Sequence, residues 1–197
     1  MWNEMLASRG ACEVASCVMY FLNKQVAESI DKVAFYSDNC GGQNRNKFIA
    51  SMYMYVVYTT MFESIQHNYL ENGRTQNEND SIHATIENEK KHTEFVYVPS
   101  QYYTLARSAR KSKAQYRVKE MKMHDFYNFN KFSMFMENFK IDNNNEKVKW
   151  GKILQILIER ADPFVMQFKY DHDDLVYQQI GCFSEMQKTC IAALSDS

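Results

Sequence analysis

The sequence predicts an α/β domain with helices packed against a sheet. Three observations predict it. Helical and strand-like patterns alternate through the first third of the chain. The segment KVAFYSD (32–38) is a short apolar run rich in β-formers that stops at an acidic residue and a Gly/Asn turn. The 197 residues are 45% hydrophobic and 24% charged, which suffices for one globular core.

The elements follow in order. Val14, Val18, Phe21 and Leu22 recur at helical spacing over 8–25, with Ser8 as a candidate cap. The run 32–38 reads as a central strand buried on both faces. After the turn, Phe48, Met52, Tyr55, Val56 and Thr59 restore helical spacing. Ile65, His67 and Tyr69 alternate in the next strand, 64–73. Ile82 and Ile86 mark one side of a helix that follows a polar loop. EFVYVPS (94–100) reads as a strand closed by Pro99, QYYTLARSARKSK as a short basic helix, and 115–126 as an edge strand. DNNNEK (142–147) is a turn. Phe164, Met166, Phe168 and Tyr170 alternate in a further strand after Asp162-Pro163. Asp171, Asp173, Asp174, Glu185 and Asp196 face Lys188 alone, so 171–197 reads as a loosely ordered acidic tail.

A net charge of −1 gives no global signal for nucleic acid or membrane, so any such signal is local. The five cysteines form no CxxC pair, which argues for thiols in a reducing compartment and against a zinc site. The first residues lack the basic head and apolar core of a signal peptide, and no apolar stretch approaches the ~20 residues of a membrane span. The expected location is intracellular, not secreted.

Asp38 closes the apolar strand at its carboxyl end, where α/β sheets gather ligands and chemistry. An Asx turn before a helix explains the same residue, with Gly41-Gly42 supplying unusual dihedrals. The turn is not a phosphate loop, because no GxxxxGK[ST] pattern is present. A second set lies on one helix face: Asp80, His83, Ala84 and Glu87. The backbones of Asp80 and Glu87 are about 10 Å apart along that helix, so they are not equal ligands of one ion. Either could join Asp38 around a hard cation such as Mg2+, which takes one or two protein carboxylates. A solvated polar face is the plain alternative. A third set is basic: Arg107, Arg110, Lys111, Lys113, Arg117, Lys119 and Lys122 against Glu120, with Tyr102, Tyr103 and Tyr116 among them. Cations bind phosphate and aromatics stack bases, whereas a solvated surface with packed tyrosines gives the same pattern.

Four segments, MWNEMLASRGACEVASCVMYFL, FYSDNCGGQNRNKFIASMYMY, IQHNYLENGRTQNENDSIHATIENEKK and VYVPSQYYTLARSAR, carry a resemblance. In order and spacing they resemble an insect-rich metazoan transposase-like family, usually labelled a domain of unknown function, over about residues 1–170. The family looks like a DDE-type transposase or integrase core. The resemblance implies a ribonuclease-H-like fold, a mixed sheet flanked by helices. It implies Mg2+ or Mn2+ held by Asp38 and Asp80, Glu87 as third ligand or orienter, His67 as a nearby polar partner, and DNA as partner. It implies nuclear action if the protein is functional.

Two departures bear on activity. The family shows Gly-His-(Ser/Thr) where this chain has Gly73-Arg74-Thr75. A guanidinium stays protonated and is neither a neutral ligand nor a base. The family also carries an upstream acidic strand in an Asp-Leu-Gln context, whereas this chain opens at Met1-Trp2. Glu4 or Glu13 would be the substitute carboxylates. The expectation is therefore an incomplete ribonuclease-H-like domain over 1–170, its first strands missing. It would be an inactive remnant of a DNA strand-transfer or nuclease core, or else a catalytically dead nucleic-acid-binding module.

Overall fold

The computed structural model describes residues 1–71, 78–93, 95–112, 114–134, 136–184 and 187. Its contacts divide the chain into two units, one of residues 9–73 and 127–197 and one of residues 1–8 and 74–126.

The first unit holds a five-stranded mixed sheet in the order β1-β2-β3-β4-β5. Helix α1 (Ala11–Ala27) leads into β1 (Lys32–Ser37), α2 (Lys47–Thr59) and β2 (Ser64–Tyr69). Strands β1 and β2 are parallel and are joined across α2. The remaining strands, β3 (Gln155–Glu159), β4 (Val165–Lys169) and β5 (Gln178–Gly181), run antiparallel to their neighbours. A short helix, Phe129–Ser133, packs on α2.

Period-two alternation sends Ile65, His67 and Tyr69 of β2, Ile156 and Ile158 of β3, Met166 and Phe168 of β4 and Ile180 of β5 to one face. All are buried, together with Met52, Tyr53, Val56 and Val57 of α2 and Ala15, Met19 and Leu22 of α1. The opposite face carries Gln66, Asn68, Gln155, Gln167 and Gln179. Asn68 and Gln155 are buried there, joined by a hydrogen bond from the Gln155 amide to Asn68 Oδ1, and Tyr177 donates to Gln155 Oε1.

Several expectations are corrected here. Strand β1 is an edge strand of the sheet, and its residues alternate exposed and half-buried instead of being buried on both faces. A short apolar run does not distinguish these cases, because Ala34 and Tyr36 face outward and Tyr36 is largely exposed. The cap of α1 is Gly10, not Ser8; the Glu13 carboxylate accepts its N–H at 3.1 Å. The acidic tail does not hold up to residue 184. β5 pairs with β4, and Ile180, Cys182 and Phe183 are buried, because three apolar side chains outweigh the charges that precede them.

In the second unit, α3 (Glu78–Lys91) packs on α4 (Pro99–Ser108). Tyr103, Leu105, Ala106, Ala109 and Met121 are its buried residues. The first residues of the chain belong to this unit: Met121 N–H donates to the Met1 carbonyl at 2.8 Å, and Trp2 meets Phe126 edge-on at 5.6 Å. Neither strand expected here forms. Residues 95–97 are irregular, and Pro99 opens α4 instead of closing a strand. Its missing N–H suits a first helical turn, and Gln101 reaches back to accept from Tyr97 and Val98 N–H at 2.8 and 3.2 Å. Residues 115–126 hold only a 3-10 turn, Met123–Asp125. β-formers there find no sheet edge to join.

Candidate functional site

The carboxyl end of β1 runs straight into the turn 38–46. The Cys40 carbonyl accepts three N–H groups, from Gln43, Asn44 and Arg45, at 3.2, 2.8 and 3.1 Å. Asn46 caps α2 by accepting from Phe48 and Ile49 N–H at 3.0 and 3.1 Å, and its amide donates to the Gly41 carbonyl at 3.2 Å. The Asx turn is therefore real: Cys40 N–H donates to Asp38 Oδ1 at 3.4 Å, and Asn44 Nδ2 donates to the same oxygen at 2.6 Å. Asp38 itself is exposed, and both hydrogen bonds fall on one of its two oxygens. Gly41 and Gly42 do not have left-handed φ values. A Cβ at Gly41 would come no nearer than 3.8 Å to a neighbour, and one at Gly42 would meet nothing within 4 Å. Neither a special dihedral nor a close approach therefore requires glycine at these two positions.

Beneath the turn lies a chain of polar groups inside the apolar layer. His67 sits among Phe35, Tyr53 and Tyr69, with ring centroids 5.9, 5.8 and 4.4 Å away. Its Nε2 is 2.9 Å from Ser37 Oγ, and its Nδ1 is 2.9 Å from the Tyr53 hydroxyl. Ser37 Oγ donates to the Asp38 carbonyl at 2.8 Å. One arrangement of protons satisfies every group. Tyr53 donates to Nδ1, Nε2–H donates to Ser37, and Ser37 donates to the Asp38 carbonyl. This requires a neutral imidazole, and burial lowers the His67 pKa to about 4. Burial likewise raises the Tyr53 hydroxyl well above its ordinary value. Tyr69, raised by burial and opposed by Arg45, donates to the Asn44 carbonyl at 3.2 Å. The Arg45 guanidinium carbon lies 5.9 Å from the Tyr69 ring centroid, and Nη1 donates to the Ile153 carbonyl at 3.2 Å. Arg45 Nε is buried without a hydrogen-bond partner.

The other predicted residues fall in the second unit. Asp80, His83 and Glu87 share the exposed side of α3, while Ile82 and Ile86 are half-buried, as their spacing predicts. Glu87 pairs with Lys90 at 3.7 Å. Of the basic set, Arg107 pairs with Glu120, Lys111 with Glu89 at 2.9 Å, and Lys119 with Asp125 at 3.4 Å. Arg110 lies 4.9 Å from the Tyr116 ring centroid, and Arg117 is exposed. Tyr103 is buried, so it serves packing. Lys113 and the Gly73-Arg74-Thr75 motif lie outside the described residues. Within neither unit do three His, Cys, Asp or Glu side chains among the described residues gather as a metal cage. Asp38 fits a hard cation as a single carboxylate ligand, and Glu13 is used in capping α1. No disulfide joins Cys12, Cys17, Cys40 or Cys182, and burial raises the Cys182 thiol to about 12. No described helix is long and apolar enough to cross a membrane.

Sequence reasoning missed Ser37, Asn44, Arg45, Tyr53 and Tyr69. The available signal was a serine and a histidine on the face that Val33, Phe35 and Ile65 mark as apolar. A family model described as domain of unknown function (DUF7869) matches residues 11–158. No curated protein and no solved structure matches the chain.

Proposed function

We propose, from the premise that the chain belongs to the family described as domain of unknown function DUF7869, that it is a remnant of a transposon-derived DNA strand-transfer or nuclease core. The observation that carries this reading is Asp38. It is an exposed carboxylate at the carboxyl end of a parallel strand, fixed through one oxygen by Asn44 and Cys40. That is where α/β sheets place their chemistry. Mg2+ or Mn2+ would bind the second oxygen of Asp38, with waters and substrate phosphate oxygens completing its shell. The ion would stabilise the charge that develops as water or a 3′-hydroxyl attacks a phosphodiester. The ribonuclease-H-like arrangement needs an acidic strand beside β1, and the outer edge of β1 has no strand partner among the described residues. On this reading Asp38 alone holds the ion poorly, and the described residues do not cut. A DNA partner sets its place of action in the nucleus.

The test is nicking of supercoiled plasmid with Mg2+ or Mn2+. The expected result is no nicking by the wild type or by Asp38→Asn. Metal-dependent nicking that Asp38→Asn abolishes would overturn the inactive reading. A second reading, a catalytically dead nucleic-acid-binding module of the same descent, rests on Arg110 and Arg117, which no carboxylate neutralises among the described ion pairs. It predicts DNA binding that survives Asp38→Asn and falls linearly in log–log terms with salt.

A further inference from the structure

Two large rings stand side by side on the surface of the second unit. Phe95 is 67% exposed and Tyr97 77% exposed, and they stack at 5.6 Å with an interplanar angle of 29°. Scattered exposed apolar residues are ordinary, but a stacked aromatic pair left in water has no role in the fold. The segment is held in place, because Tyr97 and Val98 N–H both donate to Gln101 Oε1 at the start of α4. Beside the rings, the end of α3 and the outer side of α4 enclose a groove of about 270 Å3. Phe95 itself and Val96 line it, together with Thr93, Thr104, Leu105 and Ser108.

The groove chemistry is specific. Thr93, Thr104 and Ser108 hydroxyls each donate to a carbonyl of their own helix, at 3.1 Å in each case. With their protons so used, these hydroxyl oxygens keep acceptor capacity at the groove, which suits exocyclic amino groups. Glu89, the one acid in the wall, is paired with Lys111 at 2.9 Å. Lys90 and Lys91 close the neighbouring last turn of α3. The lining mixes apolar Phe95, Val96 and Leu105 with hydroxyl groups, and a space of about 270 Å3 suits one flat heterocycle with polar edges. We infer that Phe95 and Tyr97 form a stacking platform for the bases of a single-stranded nucleic acid, one base entering the groove while Lys90 and Lys91 meet the phosphates.

This inference rests on the nucleic-acid reading above and names where the strand is held. Stacking on aromatic side chains is tolerant of sequence, so the platform serves any unpaired strand. The experiment is fluorescence anisotropy of a labelled single-stranded DNA longer than the ~16 nucleotides that one domain commonly covers. The proteins are wild type, Phe95→Ala/Tyr97→Ala and Phe95→Trp. Both rings are mostly exposed, so the variants keep the fold, which circular dichroism checks. The expected result is binding weakened about tenfold or more by the double alanine variant and retained by tryptophan. Wild-type binding that the double variant leaves unchanged overturns the platform alone. No wild-type binding of single-stranded or duplex DNA at low salt overturns the platform and the nucleic-acid reading together. Self-association that the double variant abolishes, without DNA binding, assigns the rings to a second copy of the chain and overturns the inference.

Discussion

Asp38 and the Asp80/Glu87 pair are carboxylates of the same chemistry on different supports. Asp38 stands on a turn that is tied to the sheet by Tyr69 and Asn44, above a polar chain running through Ser37 and His67 to a fully buried Tyr53. Asp80 and Glu87 stand on the exposed side of a helix whose apolar residues are only half-buried. The Asp38 carboxylate is preset by Asn44 and Cys40 on a turn that buried groups anchor through its backbone, whereas Asp80 and Glu87 lie on a solvated helix face, Glu87 in an exposed pair with Lys90. A metal or phosphate site needs the first kind of support, because a ligand group that must be ordered on binding costs conformational entropy.

The comparison breaks first at the core. Phe168→Ala, which empties a fully buried position under the sheet, is expected to cost about 3–5 kcal/mol. Ile82→Ala on half-buried α3 is expected to cost well under half of that, by urea unfolding. Equal losses would mean that the two units are equally well packed.

The next effect is pH-dependent. His67 has a folded pKa of about 4 against 6.5 unfolded. Its contribution is therefore complete above pH 6.5 and is lost as pH falls through 4, up to about 3 kcal/mol. Carboxylates titrate in part of the same window. The readout is thus the difference between wild type and His67→Gln, which should narrow as pH falls from 7 to 4. A constant difference would mean that His67 is not buried neutral.

Smaller effects sharpen the contrast at the turn itself. Asn46→Ala removes the cap that accepts two N–H groups and is expected to cost about 1 kcal/mol. Glu87→Gln should change stability by less than about 0.5 kcal/mol, since its pair with Lys90 is exposed. Gly42→Ala should fall in the same range or stabilise slightly, because its Cβ meets open space and its φ is ordinary.

The sequence made the first unit legible where pattern and packing agree. The β1 run, the helical spacing from Phe48 to Thr59 and the alternation of Ile65, His67 and Tyr69 all became the elements they predict. The second unit was less legible. EFVYV has the composition of a strand, yet no sheet edge receives it, and Phe95 and Tyr97 remain exposed. At the end of the chain, acidic residues hid the short strand around Ile180. For the site, the position of Asp38 could be read directly, since a strand end needs only local pattern. Its supports could not. The link from His67 to Ser37 depends on the parallel register of β1 and β2, and the link to Tyr53 depends on how α2 packs over them.

The backbone of Asp38 rests, through Ser37, on a neutral, buried His67. Nitrogen-detected NMR of the imidazole across pH tests it most directly. The expected result is a neutral Nε2–H tautomer at pH 7 that titrates near pH 4. An imidazole that titrates near 6.5, or carries its proton on Nδ1, would contradict it. The turn bearing Asp38 would then have no buried chain beneath it.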